Sequence, residues 1–213
     1  MQLLKQYGLR IPASYNAILS AMSFEPYAAR TQEKMSDVLM DPNASGPAIH
    51  YYMVRGGSKK RNVTILETGT VGGEYIKTYG HYHIGNLDET YWFSAGDGVV
   101  LQQKLVDPAD PNVVELFKAV RVKAGDSVYM PPGHGHLMVN VGDVWLVMVD
   151  DSPVEGTSDS ASMPGHADYE MVKRMRGFAY YVVERDGAPA LVKNLHYKEI
   201  RTTDFGGMPV VEK

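Results

Sequence analysis

Four histidines and one glutamate form the chemically most informative pattern in this chain. The histidines stand in two pairs, His81 with His83 and His134 with His136, and Glu89 follows the first pair. Residues two apart in a strand share a face, with Cα atoms roughly 7 Å apart, so His81 and His83 are expected to point into one pocket. Three imidazoles and a carboxylate are a suitable donor set for a first-row divalent metal ion. The pattern therefore predicts a metal site.

The second pair presents a choice, because His134 and His136 are again two residues apart. A corner of two prolines and a glycine, residues 131–133, precedes them, and such a corner turns a strand sharply in a small barrel. We expect His136 to open the strand that leaves this corner and to bind the metal. His134 is expected to line the pocket or to support a ligand. A lone histidine would be better explained as an ordinary polar residue near a loop.

The carboxylate has competitors in Asp88 and Glu74. Glu89 directly precedes the aromatic run of residues 91–93, which places it near the body of the fold. We therefore expect Glu89 to be the carboxylate ligand. The alternative for this residue is a solvated charge at the start of a strand.

Composition narrows the class of protein. The chain has 213 residues, no cysteine and a formal net charge of -4, so disulfides and thiolate ligands are excluded and a metal must take N and O donors. Basic residues are scattered, which argues against nucleic acid as a partner. The first ten residues lack an apolar core and the longest apolar run is too short to cross a bilayer. We expect a cytoplasmic protein without a membrane segment.

The elements that must position the ligands are short strands separated by turn residues. Apolar residues at intervals of three and four predict one or two helices in residues 11–40, and turn formers at residues 41–47 mark a junction. Strands are expected at residues 63–67, 74–79, 90–95, 99–105, 113–122, 127–130, 137–140 and 144–149, with a last hairpin formed by 178–184 and 188–193. This pattern indicates an all-β sandwich or barrel. We expect an arm with short helices at 1–47, a barrel at 48–200 and a tail at 201–213.

At this level of detail the chain resembles a known family. Gly125, Pro131, Gly133, His136 and Asn140 match the second cupin motif at every spacing. The first cupin motif is matched by His81, His83, Glu89 and Gly96, with a longer gap before Glu89 and no glycine at the usual lead-in spacing. More narrowly, the run Thr-Tyr-Gly-His-Tyr-His, the following Glu-Thr-Tyr and the Val-Tyr-Met-Pro-Pro corner resemble the cupin-type glucose-6-phosphate isomerases over residues 51–181.

The resemblance implies a double-stranded β-helix, a homodimer and one divalent metal ion per subunit, held by His81, His83, Glu89 and His136. The metal would be Fe, Mn, Ni, Co or Zn. It also implies a sugar-phosphate substrate that contacts Thr64, Thr78, Gly80, Tyr91, His166 and Tyr169. The chain departs from the family in two places. The segment Gly-His-Ala-Asp-Tyr is one residue longer than usual, and a family tyrosine after residues 144–149 appears as Val149 or Asp150.

The implied reaction interconverts glucose 6-phosphate and fructose 6-phosphate. Hydrogen moves between C1 and C2 of the open-chain sugar. A carboxylate near the metal can abstract the proton and return it, and we expect Glu89 to be this base, with a hydride shift as an alternative. For Thr64 and Thr78 the ordinary alternative is a strand threonine, and for Tyr91 it is core packing. Two other functions fit the same donors: an iron-dependent cupin dioxygenase and a sugar-binding protein without turnover.

Overall fold

The structure is a computed structural model that describes residues 28–54, 62–152 and 167–213. The fold is all-β, as predicted. Within these residues the strands are β1 Ala28–Thr31, β2 Ile49–Val54, β3 Asn62–Leu66, β4 Thr70–Val71, β5 Glu74–Tyr75, β6 His81–His83, β7 Glu89–Ala95, β8 Asp97–Leu105, β9 Val113–Lys123, β10 Ser127–Met130, β11 His134–Asn140, β12 Leu146–Asp150, β13 Ala167–Asp168, β14 Tyr180–Arg185, β15 Ala188–Lys193, β16 Glu199–Asp204 and β17 Val210–Val211. The helices are α1 Gln32–Met35, a 3-10 turn Ser36–Val38 and α2 Glu170–Arg174.

Two six-stranded sheets form the body, in the orders β1-β2-β3-β12-β7-β10 and β13-β6-β11-β8-β9-β16. One hydrophobic core takes side chains from both sheets, including Phe93 and Met148 from the first and Val100 and Met138 from the second. Several neighbouring strands in each sheet are distant in sequence, as β12 beside β3 and β11 beside β6 show. This crossing connectivity is the double-stranded β-helix of the cupin fold, which confirms the expected architecture.

A third sheet, in the order β17-β15-β14-β5-β4, adjoins the body. Its long hairpin, β14 with β15, is the one predicted around Asp186 and Gly187. Parallel pairing places β16 beside β9 and β17 beside β15, so much of residues 201–213 lies in sheets. The division into arm, barrel and tail stays a prediction.

Several strand limits differ from those expected. The strand predicted at 74–79 is only Glu74–Tyr75, with an isolated bridge between Lys77 and Val139 farther along. The strand predicted at 137–140 begins earlier, at His134, because β6 and β8 both pair with this segment. Of the one or two helices expected in residues 11–40, the described part, residues 28–40, contains only α1 and the 3-10 turn, since residues 28–31 pair with β2 as a strand. None of the described helices has the length and apolar character that a membrane crossing requires.

A buried ion pair fastens the segment after α1 to the barrel. The ammonium of Lys77 contacts the Glu74 carboxylate and donates a hydrogen bond of 2.6 Å to the carbonyl of Val38. The N–H of Met40 donates to the other carboxylate oxygen of Glu74 at 2.7 Å. Burial raises the pKa of Glu74, and Lys77 acts against this rise. The pair thus satisfies backbone groups of residues 38–40 that packing would otherwise leave without partners.

The substitution Lys77→Met tests this ion pair. It should lower the free energy of unfolding by about 3–5 kcal/mol, because it leaves the Glu74 carboxylate buried without its cation. The matched control is Lys104→Met, which removes a half-exposed partner of Glu115 at 2.9 Å and should change stability very little. Urea unfolding of both variants measures the difference, and equal losses would refute the structural role of the buried pair.

Candidate metal centre and pocket

The two predicted histidine ligands on β6 are brought beside β11 by strand pairing. His81 lies opposite His136 in the antiparallel register, and Tyr82 lies opposite Gly135. A Cβ atom on Gly135 would come within 2.6 Å of Cζ of Tyr82, so only glycine leaves room for the tyrosine ring at this crossing. The close approach of the two strands depends on this small residue.

The ring of Tyr82, between the two histidines in sequence, is anchored on the opposite side of β6. The side-chain amide of Gln103 donates hydrogen bonds to the hydroxyls of Tyr82 at 2.5 Å and Tyr197 at 2.9 Å. The Tyr197 hydroxyl donates in turn to the carbonyl of Gly177 at 2.9 Å. These buried hydrogen bonds fix β6 on the side opposite its two histidines.

Four side chains converge in the barrel: His81, His83, Glu89 and His136. Their candidate ligand atoms all lie within 4.8 Å of one another. The ring centroids of His81 and His136 are 4.4 Å apart, and those of His83 and His136 are 5.1 Å apart. Glu89, His83 and His136 are buried, whereas His81 is half-buried and faces the pocket. The structure therefore assembles all four residues that the sequence marked as ligands.

Electrostatics hold the carboxylate of Glu89 in its ionised form. Its Oε2 atom lies 3.1 Å from Nε2 of His83 and 3.2 Å from Nε2 of His136. Burial would raise the pKa of Glu89, but the neighbouring imidazoles outweigh burial and bring this pKa well below its usual value. Burial likewise acts to lower the pKa of His83, and the Glu89 carboxylate reverses the shift and raises it.

These residues fit a metal ion on the ground of their own contacts. Oε2 of Glu89 and both ring nitrogens of His136 are buried, and within residues 28–54, 62–152 and 167–213 they have no hydrogen-bond partner. Buried polar atoms without such bonds are costly, and a cation among them would satisfy them. The carbonyl of Leu87 accepts from Nδ1 of His83 at 3.2 Å, which turns Nε2 toward Glu89. The group can hold a metal ion.

His134 lies apart from this group. Its Nδ1 atom is 3.1 Å from the carbonyl of Pro132, and the side chain is half-buried at the start of β11. The competing carboxylates also lie elsewhere. Asp88 accepts a hydrogen bond from the Tyr129 hydroxyl at 2.8 Å, and Glu74 is occupied by Lys77.

A small pocket of about 40 Å³ adjoins the histidines. Five of the six residues that the resemblance assigns to the substrate line it: Thr64, Thr78, Gly80, Tyr91 and Tyr169. The sixth, His166, lies outside the described residues. Strand pairing explains the convergence, because Met148 lies opposite Thr64 and Asp150 lies opposite Tyr91.

Two of these residues have local structural reasons for their positions. Gly80 has φ +83°, a left-handed conformation that glycine adopts without strain. The hydroxyl of Thr78 accepts a hydrogen bond from the N–H of Met138 at 3.0 Å and keeps its own proton to donate. The ordinary role as a strand threonine and a role in binding are therefore compatible.

Sequence reasoning missed several pocket residues: Tyr51, Met53, Met138, Met148 and Asp150 also line the pocket. Asp150 was noticed only as a departure from the family. The signal that finds these residues is strand register. Met53 in β2 lies opposite Thr64 in β3. Met138 follows His136 by two residues, so both lie on the same face of β11.

Comparison with known proteins agrees with the geometry. The family model described as Glucose-6-phosphate isomerase (GPI) matches residues 43–199. The glucose-6-phosphate isomerase of Thermococcus onnurineus is 32% identical over 136 residues, 63% of this chain and 62% of that protein. The one from Pyrococcus furiosus is 31% identical over 138 residues, 64% of this chain and 63% of that protein. The match thus spans less than two thirds of the length of these relatives.

Solved structures show weaker similarity. An oxalate decarboxylase of Lactobacillus farciminis in a formate complex has 18% identity and a TM-score of 0.37, covering 47% of this chain and 28% of that one. An oxalate oxidase in complex with the substrate analogue glycolate has 19% identity and a TM-score of 0.33, covering 47% of this chain and 40% of that one. At these values neither similarity carries an argument about function.

Metal analysis of His136→Ala and His134→Ala tests the ligand set. The first change removes a buried nitrogen from the centre of the group, so bound Mn²⁺ per chain should fall strongly after dialysis. The second removes a side chain outside the group and should leave the metal content close to one per chain. Elemental analysis gives both values. Loss of metal in His134→Ala with retention in His136→Ala would reverse the assignment.

Proposed function

The chain belongs to the glucose-6-phosphate isomerase family, and from this premise we propose that it interconverts glucose 6-phosphate and fructose 6-phosphate. We further propose that His81, His83, Glu89 and His136 bind one divalent metal ion. The observation that carries the proposal is the convergence of these four donors beside a pocket lined by hydroxyl groups. Family membership favours this activity over a dioxygenase or a sugar-binding protein without turnover.

The substrate would lie in the pocket with its carbonyl end toward the histidines. A divalent ion bound there would supply a Lewis acid that stabilises the negative charge developing on the two adjacent sugar oxygens. Thr64, Thr78, Tyr91 and Tyr169 line the pocket, and in this proposal their hydroxyls donate hydrogen bonds to substrate oxygens. The apolar side chains that share the pocket, among them Met138 and Met148, exclude water from the reacting carbons.

Glu89 is the residue proposed to move the proton. Its carboxylate is buried and ionised among the imidazoles, and an ionised carboxylate beside C1 and C2 can accept a proton from one carbon and return it to the other. A carboxylate with a lowered pKa is a weak base. The proposed role of Glu89 is therefore tested by how far turnover falls when its carboxylate is replaced.

Three further properties are proposals of the same kind. The metal is Fe, Mn, Ni, Co or Zn, since N and O donors bind these ions in the general divalent order and availability decides among them. The protein is a homodimer, and it works in the cytoplasm.

The test of the proposed function is an anaerobic assay of Mn²⁺-loaded protein with fructose 6-phosphate, with glucose 6-phosphate as the detected product. Turnover should appear, stop after removal of metal by a chelator and return when metal is added. Glu89→Gln should lower turnover by roughly two to four orders of magnitude, the usual contribution of a general base. Asp88→Asn is the matched control, because this neighbouring carboxylate contacts Tyr129 outside the pocket and its loss should leave turnover unchanged.

The proton path has its own readout in the same assay. In D₂O, transfer through Glu89 should place some deuterium on C1 or C2 of the product. Substantial activity in Glu89→Gln together with unlabelled product would contradict the base and favour a hydride shift. No glucose 6-phosphate from the metal-loaded protein would refute the proposed function itself.

A further inference from the structure

A row of three residues crosses the second sheet beside the candidate ligands. Gln103 of β8 lies opposite Gly135 of β11, and Gly135 lies opposite Tyr82 of β6. The next row of the same sheet places His136 opposite His81, on the other face of the strands. Because Gly135 has no side chain, the amide of Gln103 reaches across β11 and donates a hydrogen bond of 2.5 Å to the Tyr82 hydroxyl. Gln103 thus contacts, from two strands away, the residue that separates the two histidines of β6.

Both halves of the Gln103 amide are hydrogen-bonded. Its NH2 group donates to the hydroxyls of Tyr82 and Tyr197, and its carbonyl oxygen accepts from the N–H of Ala179 at 2.9 Å. Exchange of the amide nitrogen and oxygen would place two donors against each other at Ala179, so the orientation of the amide is fixed. Gln103 is fully buried, where an amide is tolerated only with such partners. These contacts therefore specify one arrangement of three chain segments.

The segment that contains Ala179 is itself fixed by Asn194. The side-chain amide of Asn194 donates a hydrogen bond of 3.0 Å to the carbonyl of Phe178, and its N–H donates to the carbonyl of Ala179 at 2.9 Å. The N–H of Tyr197 donates to the carbonyl of Asn194 at 3.2 Å. The two stretches of chain that Gln103 contacts are thus bonded to each other. We call them, residues 175–179 and 194–197, the C-terminal anchor.

Phe178 of this anchor also packs against the chain that leads into β6. A Cβ atom on Gly80 would come within 3.1 Å of Cε1 of Phe178, so the ring lies directly against the backbone at residue 80. The ring centroids of Phe178 and Tyr82 are 6.1 Å apart. Gly80 and Tyr82 are the two neighbours of His81 in sequence, so the anchor contacts the chain on both sides of a candidate ligand.

We propose that Gln103 is a positioning residue for the candidate metal centre and that it makes metal affinity depend on the C-terminal anchor. Through Tyr82 it fixes the strand that carries His81 and His83. Through Ala179 it joins that strand to the anchor. The inference rests on the proposed metal site. Because coupling between two sites is reciprocal, a metal ion bound by the histidines would in turn stabilise the anchor.

Metal titration of Gln103→Leu and Tyr82→Phe tests the positioning role. Each change breaks the hydrogen bond between β8 and β6, so β6 loses part of its support while all four candidate ligands remain. Affinity for Mn²⁺, measured by competition with a chelator, should fall about ten-fold in Gln103→Leu and roughly two- to ten-fold in Tyr82→Phe. Tyr181→Phe is the matched control and should keep the wild-type affinity. It removes a hydroxyl of β14 whose hydrogen bond, of 2.6 Å, goes to the carbonyl of Arg176 instead of Gln103.

The double variant Tyr82→Phe with Gln103→Leu shows whether Gln103 acts through Tyr82. If it does, the double variant should bind Mn²⁺ about as tightly as Gln103→Leu alone. Losses of affinity that multiply would show independent effects and would overturn the inference. Unchanged affinity in both single variants, or an equal loss in Tyr181→Phe, would overturn it as well. Tyr82→Phe is the milder change and decides the test if Gln103→Leu does not fold.

Hydrogen exchange of the metal-free protein gives a readout of positioning that does not need the metal. In Gln103→Leu and Tyr82→Phe the amides of β6 should exchange faster relative to those of β9 in the same sheet. A global loss of stability would speed exchange in both strands, so the comparison isolates the local effect. Equal exchange of β6 in variants and wild type would overturn the positioning role.

The same measurement separates this inference from the proposed function. In wild-type protein, added Mn²⁺ should slow exchange at Ala179 and Asn194, and bound Mn²⁺ without this effect would overturn the coupling. A wild-type protein that binds no Mn²⁺ would refute the proposed metal site. Exchange of β6 in the metal-free variants would then still decide whether Gln103 positions the histidines.

Discussion

The buried carboxylate of Glu89 is the constraint on which the rest of the site depends. An ionised group inside a barrel is tolerated only when cations or hydrogen bonds compensate for the water it has lost. Here the imidazoles of His83 and His136 supply that compensation at 3.1 Å and 3.2 Å, and they keep the pKa of Glu89 low. Among the described residues, buried atoms of the group remain without a hydrogen bond, and a cation between them would satisfy them. The group can therefore hold the ion that the proposed chemistry uses.

Positioning of this group depends on strand register. His81 meets His136 only because β6 pairs with β11 in one particular register, and Gly135 permits the approach that the Tyr82 ring needs. A shift of one residue would turn both β6 histidines away from the pocket. The hydrogen bonds that Gln103 donates to Tyr82 and Tyr197 resist such a shift from behind. A shift of β6 would therefore break these buried hydrogen bonds as well as move the two histidines.

The convergence of the four candidate ligands could be predicted from the sequence because metal binding would restrict residue types and strands restrict spacing. The strands Asp97–Leu105 and Val113–Lys123 were also close to expectation, since short β-rich runs between turn-forming residues mark them locally. What the sequence did not reveal depends on contacts between distant segments. The cavity lined by Arg30, Lys34 and Lys173 is an example, because it joins β1, α1 and α2, and no local pattern brings these three elements together. Asp150 acquires its place in the pocket through pairing with Asn62 on one side and Tyr91 on the other.

The most direct test of this account is a crystal of the protein soaked with Mn²⁺ and measured for anomalous scattering above the manganese absorption edge. The account predicts one strong anomalous peak per chain, within bonding distance of His81, His83, Glu89 and His136. An ordered group of these four side chains with no peak between them, or a peak bound by other residues, would contradict it.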